Sequence, residues 1–438
     1  MKKVTLWMLA WTLALPSLAQ ITGTEAVDEF MNRLETHDRW MGSMAIAENG
    51  DVVFQRAIGY QNAAENQPAD TDTRYRVGSI SKMFTAVLTF QAIEAGKVSL
   101  STTLETYFPE LPHAADITVG MLLHHNSGIF SMTSLTDYLQ WSDEPQSRED
   151  LYGKIVDQKP SFTPGEKHEY SNSNYVLLTW LLEDIQNTSF ATLLQRDIAE
   201  PLGLEDTYLG GDLNLSAHEC YSYSYAGDWN QEQVTDMSVP LGAGAVISTP
   251  SDLTVFIRGL FQEKLIQKKH LEAMMDFQDG YGKGMFRYAM GDSYAYGHTG
   301  GIDGFTSFLG YLPDADVAIA LSSNGARYDN MGLVVAAYQA LSGGEVNLPE
   351  FSTYTVAEAD LEQYLGVYAS EDIPLKITVF VDSGSLMAQA TGQSAFPLEP
   401  TAEHKFAFDM AGIEAEFNPE ENSLVLIQNG SGINFTKE

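Results

Sequence analysis

Arg76-Val77-Gly78-Ser79-Ile80-Ser81-Lys82-Met83-Phe84 opens an apolar run that continues through Val87, Leu88, Phe90 and Ile93 with almost no charge. Ser79 and Lys82 are three apart, so on a helix they share one face, one above the other. A helix that is apolar nearly all round is buried in the body of a domain. Gly96-Lys97 reads as its stop, a glycine C-cap beside a cation. A serine at the N-terminus of such a helix meets free N–H groups and the positive dipole end. A lysine one turn on brings its ammonium, or its neutral amine if desolvated, beside the hydroxyl. That is the layout of a Ser/Lys nucleophile. The plain alternative is a helix N-cap followed by a first-turn surface lysine. Ser-x-x-Lys arises by chance about twice in a chain this long, so the pair needs partners elsewhere.

The 438 residues include 59 acidic and 24 basic ones, a net charge of −35. Such a surface repels nucleic acid and anionic membrane, and no nucleic-acid partner is expected. Cys220 is the only cysteine, so no intramolecular disulfide forms and stability rests on the apolar core. The length suffices for one large domain and a small one. Met1-Lys2-Lys3, an apolar stretch over residues 4–15 and Ser17-Leu18-Ala19 have the form of an export signal. Cleavage is expected after Ala19, giving a periplasmic or extracellular protein. No cysteine follows to carry a lipid, and no later stretch has the length and apolarity of a membrane span.

Residues 24–37 have helical spacing, and 41–48, Asn49-Gly50 and 51–60 form a hairpin pattern around the strongest short turn signal. The Ser79 helix follows. Residues 102–210 are helical with polar loops, including 119–125 and 175–185. Gly-rich Pro240-Leu241-Gly242-Ala243-Gly244 precedes an N-capped helix start at Ser248-Thr249-Pro250. Strands return over 282–290, 294–299, 305–311 and 317–322, and a helix closes at 331–341. The fold class is therefore α/β of the α+β type. The two strand sets join in one antiparallel sheet flanked by helices, with the helical middle as a second lobe. The expected domain spans 20–345, a linker follows, and 353–438 is a small all-β, barrel-like domain with Asp-Ser-Gly and Asn-Gly turns.

A Ser/Lys enzyme also needs a second proton carrier, a polar hand on the substrate and donors for an oxyanion. Tyr-x-Asn occurs three times, at Tyr60, Tyr170 and Tyr328, so the triplet alone says little. Tyr170-Ser171-Asn172 stands out, on a loop after Pro164-Gly165 and at the entrance of an amphipathic helix. Gly297-His298-Thr299-Gly300-Gly301 ends a strand pattern, where small residues let a substrate approach strand backbone. Its plain alternative is a β-bulge with a solvent-facing histidine. A tyrosine-rich stretch, 221–233, is expected to wall the site. His124-His125 has no metal-ligand spacing and His404 is isolated, so no metal or cofactor is expected.

In that order, Ser79-x-x-Lys82, Tyr170-Ser171-Asn172 and His298-Thr299-Gly300 resemble the three signature boxes of the serine β-lactamase and penicillin-binding protein superfamily. Leu122 to Gly128, Pro201-Leu202-Gly203-Leu204 and residues 297–324 support the likeness, which covers about residues 24–342. The class C-like branch, with its esterases, D-aminopeptidases and D,D-carboxypeptidases, is the most similar. The resemblance implies a β-lactamase/transpeptidase-like fold and an acyl-enzyme on Ser79, which Lys82 activates. It implies a proton relay through Tyr170, which titrates near neutral pH only with a cation such as Lys82 beside it. Asn172, His298, Thr299 and Gly300 would hold the substrate, with backbone N–H groups of Ser79 and Gly301 as the oxyanion hole. The expected substrates are small esters, amides or peptides, D-amino acid compounds among them.

One departure matters. The third box usually begins with lysine, which helps hold a substrate carboxylate, and here it is His298. Histidine is mostly uncharged at neutral pH, so the anion clamp is weakened. The rival readings are a β-lactamase or D,D-carboxypeptidase, and a non-catalytic ligand- or cell-wall-binding protein on the same scaffold. Gly-x-Ser-x-Gly is absent, which speaks against an α/β-hydrolase. Oligomeric state has no signature in the sequence.

Overall fold

A computed structural model describes residues 23–225, 227–352, 354–382, 384–428 and 431–438. The expected export signal, residues 1–19, lies outside them. Helix α1 (Thr24–Thr36) leads into strands β1 (Trp40–Glu48) and β2 (Asp51–Ile58). The hairpin closes at Glu48↔Asp51, with Asn49 and Gly50 both at positive φ, as the dipeptide predicts. Strands β3 (Phe286–Met290), β4 (Ser293–Ile302), β5 (Phe305–Leu312) and β6 (Val317–Ala326) return much later. They join the hairpin in a six-stranded antiparallel sheet of order β3-β4-β5-β6-β1-β2. The expected single sheet is present.

Strand β6 shows how the layers are built. Val317, Ile319 and Leu321 pack with α1 and a closing helix, Asn330–Leu341. Alternate Ala318 and Ala320 face the helical lobe. The period-2 pattern thus divides large from small side chains between two covered faces. Helix α2 (Ser81–Glu94) is buried from Ser81 to Phe90, as its all-round apolarity requires, with Phe84 stacked on Phe256 at 3.8 Å. Strand β3 starts later than residue 282, because Gly282 packs against the Met274 carbonyl, leaving a Cβ only 2.2 Å from that oxygen. Strand β4 runs on past Thr299 to Ile302. His298 pairs regularly with Leu309, so there is no bulge.

The C-terminal segment forms a nine-stranded antiparallel sheet. Its edge strands, Phe396–Pro397 and Glu399–Ala402, are neighbours in the chain, so the sheet nearly closes around Tyr364, Phe406, Phe417 and Phe435. The intervening stretch is not free: Phe351 packs on His37 and Tyr328. Arg39 and Arg327 converge on Glu399, Arg327 at 2.6 Å. Arg327 also lies 3.5 Å over the ring of Tyr225, in the hairpin of Tyr223–Tyr225 and Trp229–Gln231. Glu399→Ala strips a carboxylate from two largely buried guanidiniums. It is expected to lower stability by about 2 kcal/mol in urea unfolding, and an unchanged midpoint would count against it.

Candidate active site

Ser79 lies in the single 3₁₀ turn Gly78–Ile80 that runs straight into α2. Gly78 has φ +52°, and a Cβ there would fall 2.7 Å from the Gly301 nitrogen. At Gly300 a Cβ would meet the Val77 carbonyl oxygen at 1.9 Å and the Ser79 nitrogen at 3.3 Å. Glycine is thus required for β4 backbone to lie directly on the Ser79 turn. The sheet partner β3 stops at Phe286↔Gly297, so β4 from His298 to Ile302 has one unpaired edge.

Lys82 is fully buried, and its Nζ contacts Ser79 Oγ at 3.0 Å, Asn172 Oδ1 at 2.8 Å and the Ala243 carbonyl at 2.7 Å. No described carboxylate pairs with it. Burial pushes its amine well below the ordinary lysine value. A neutral amine has two N–H groups and one lone pair. Asn172 Oδ1 and the Ala243 oxygen can only accept, so they take the two N–H groups. In that neutral form the lone pair would be left to accept from Ser79 Oγ–H, at the 3.0 Å contact. The chemistry open to such a pair is removal of the serine proton.

Helix α3 (Asn172–Gln186) places Asn172 in its first turn, where Nδ2 donates to Thr133 Oγ1 at 3.0 Å. Tyr170 lies just before it, its ring 4.8 Å from Lys82 Nζ. Burial pushes its phenol well above the usual value; Ser79 is near enough to oppose that shift, yet no described residue meets the hydroxyl in hydrogen-bond geometry. The lysine meets the ring face, not the oxygen, so the expected near-neutral tyrosine is not what this geometry makes: Tyr170 rests protonated. His125, at φ +56°, stacks on that ring at 4.2 Å, and its Nδ1 accepts from the Ser171 N–H at 3.2 Å.

A cavity of about 460 Å³ opens over Ser79, lined by Asn172, Gly301, Thr133, Tyr138 and the 232–235 stretch among others. The sequence therefore brings Ser79, Lys82, Tyr170, Asn172 and Gly301 to one place. The rest of the third box is arranged differently. His298 is buried behind the cavity, pushed down to about 3 chiefly by burial, with Nδ1 at 2.5 Å from the Thr299 carbonyl. Thr299 is exposed, and Gly300 lies beneath the serine turn. The Ala243 carbonyl escaped the sequence reading. Its signal was the run of small residues, since Gly242 fits between Thr85 and Thr179 only without a side chain. Of the 221–233 stretch, Glu232 and Gln233 reach the cavity.

No group of three or more metal-ligating side chains occurs among the described residues, and no described helix is long and apolar enough to cross a membrane. The β-lactamase family pattern matches residues 26–343. Penicillin-binding protein 4* of Bacillus subtilis is 27% identical, over 89% of this chain and 93% of its own. Teichoic acid D-alanine hydrolase of Staphylococcus aureus is 26% identical over 52% of this chain and 56% of its own. The D-amino acid amidase of Ochrobactrum anthropi, solved with D-phenylalanine, superposes with a TM-score of 0.65 at 25% identity, covering 73% of this chain and 98% of that one. The chain belongs to the β-lactamase family and is a serine hydrolase of that family.

Proposed function

We propose that this protein is exported and hydrolyses small amides or esters, D-aminoacyl ones among them, through an acyl-enzyme on Ser79. The observation that carries the reading is the buried Lys82 amine 3.0 Å from Ser79 Oγ, with no described carboxylate beside it and burial favouring its neutral form. In acylation Nζ takes the serine proton as Oγ attacks the carbonyl carbon. The oxyanion is met by the Ser79 and Gly301 N–H groups, which the glycine contacts hold side by side. Tyr170 gives its proton to the leaving amine or alcohol and regains one from the Lys82 ammonium. Water then adds to the acyl carbon, its proton passing to the same relay, and Ser79 leaves with a proton from Lys82. The unpaired β4 edge beyond Gly297 offers backbone to a substrate chain, and Asn172 lines the cavity beside it.

A D-alanine hydrolase and a D-amino acid amidase among the similar proteins support the substrate class. The β-lactamase and D,D-carboxypeptidase reading is weaker, because His298 is neutral and set back from the cavity. The test is intact-protein mass spectrometry with p-nitrophenyl acetate, D-phenylalaninamide and a penicillin. A Ser79-dependent acetyl adduct with turnover of the ester and amide is the expected result. A stable penicilloyl adduct as the only modification would replace this reading with a penicillin-binding one. No adduct from any of the three would leave the silent binding protein.

A further inference from the structure

Glu232 stands out on the cavity wall. It follows the hairpin strand Trp229–Gln231 and is half-buried. Its backbone N–H donates to the Ser222 carbonyl at 2.9 Å, and Ser222 Oγ accepts from the Gly304 N–H at 3.1 Å. The side chain lies along Gly304, where a Cβ would come 3.0 Å from its Cγ. Gly304 is three residues past Gly301, so the carboxylate stem is fixed beside the end of β4 that lies on the Ser79 turn. No described cation or hydrogen-bond donor engages the Glu232 carboxylate. The other carboxylate on the wall is already spent: Asp303 accepts from Thr235 Oγ1 at 2.5 Å and pairs with Arg76 at 3.2 Å.

The cavity lining includes no lysine or arginine; Lys82 and His298 lie outside it, and burial pushes both toward their neutral forms. One unanswered negative charge therefore faces the substrate. Met132, Leu139, Pro240 and Ile302 supply apolar surface on the same lining. We infer that Glu232 selects substrates by pairing with an ammonium group, so that the enzyme prefers aminoacyl amides and esters with a free amine and an apolar side chain over N-acylated or carboxylate-bearing ones. The inference rests on the hydrolase reading above and names the feature of the substrate that this cavity reads. A charged pair of this kind, partly removed from water, discriminates by roughly tenfold to a hundredfold.

The test compares wild type and Glu232→Gln on D-phenylalanine p-nitroanilide and its N-acetyl counterpart, with p-nitrophenyl acetate acylation of Ser79 as the reference. Wild type is expected to favour the free amine in kcat/KM by tenfold or more. That preference should shrink as pH rises through about 8, where an α-amino group loses its proton. Glu232→Gln should lose the preference mainly through KM, leaving acetate acylation and the N-acetyl substrate within about threefold. Equal loss on both anilides makes Glu232 a wall-building residue and overturns the inference. So does an unchanged preference, or normal acetate acylation in an enzyme that favours neither anilide. Failure of Ser79 acylation itself, in wild type, would instead remove the hydrolase reading on which the inference stands.

Discussion

Lys82→Ala is expected to slow acylation of Ser79 by p-nitrophenyl acetate by about four orders of magnitude while leaving the fold intact. The size follows from what the amine does: no described carboxylate or histidine contacts Ser79, and the nearby Tyr170 phenol, raised by burial, holds its own proton, which leaves the amine as the base. The outcome is read by stopped-flow release of nitrophenolate, with circular dichroism to confirm folding. A loss below tenfold would mean that Lys82 only props the turn. The same residue ties activity and stability to pH. Its folded-state pKa is depressed by burial, against about 10.4 in the unfolded chain. Between the two values the unfolded chain binds the extra proton, so wild-type stability rises with pH up to about 10.4 and falls toward the folded value. Lys82→Ala should lack that rise when urea unfolding is compared at pH 7 and pH 10. Acylation in the wild type should fade as pH drops through the folded pKa, because a protonated amine has no lone pair to offer.

Gly300→Ala should lower kcat on esters about a hundredfold to a thousandfold, whereas Gly301→Ala should stay within about tenfold of wild type. The contrast is the point, since Gly301 rather than Gly300 supplies the proposed oxyanion donor. A Cβ at Gly300 would stand 1.9 Å from the Val77 carbonyl and must push β4 off the serine turn. At Gly301 the nearest atom is 4.0 Å away, and the backbone N–H survives the substitution. Separating two preorganised donors by even part of an ångström removes the transition-state interaction they share. Equal activities for the two variants would place the oxyanion elsewhere.

The Ser79 helix was legible because burial, composition and the Ser-x-x-Lys spacing all fall within one local stretch. The 40–58 hairpin was legible for the same reason, its Asn-Gly turn being local chemistry. The pairing of Trp40 with Ala326 has no local sign, and only the economy of a single sheet pointed to it. His298 shows where the reading thinned. Its flanking glycines fit a bulge as well as a regular strand, and its burial is decided by Tyr170, Tyr281 and Phe286 arriving from distant segments. Likewise, a backbone carbonyl such as that of Ala243 carries no residue-type signature. Tyr170 was found, but its proton affinity was not, because that depends on which face of the ring the lysine meets.

The convergence of Arg39 and Arg327 on Glu399 bears on how such a protein can be recombined. Arg327 is shared between the carboxylate of the terminal barrel and the aromatic hairpin whose next residue is Glu232. A barrel exchanged for that of a relative without an acid at this place would leave both arginines short of a partner and the cleft wall loosely seated. Modules here are heritable as matched sets, and substrate choice can drift through a residue that never touches a substrate. Chimaeras with and without the restored carboxylate, compared for free-amine preference, would show that the graft succeeds only when the acid travels with it.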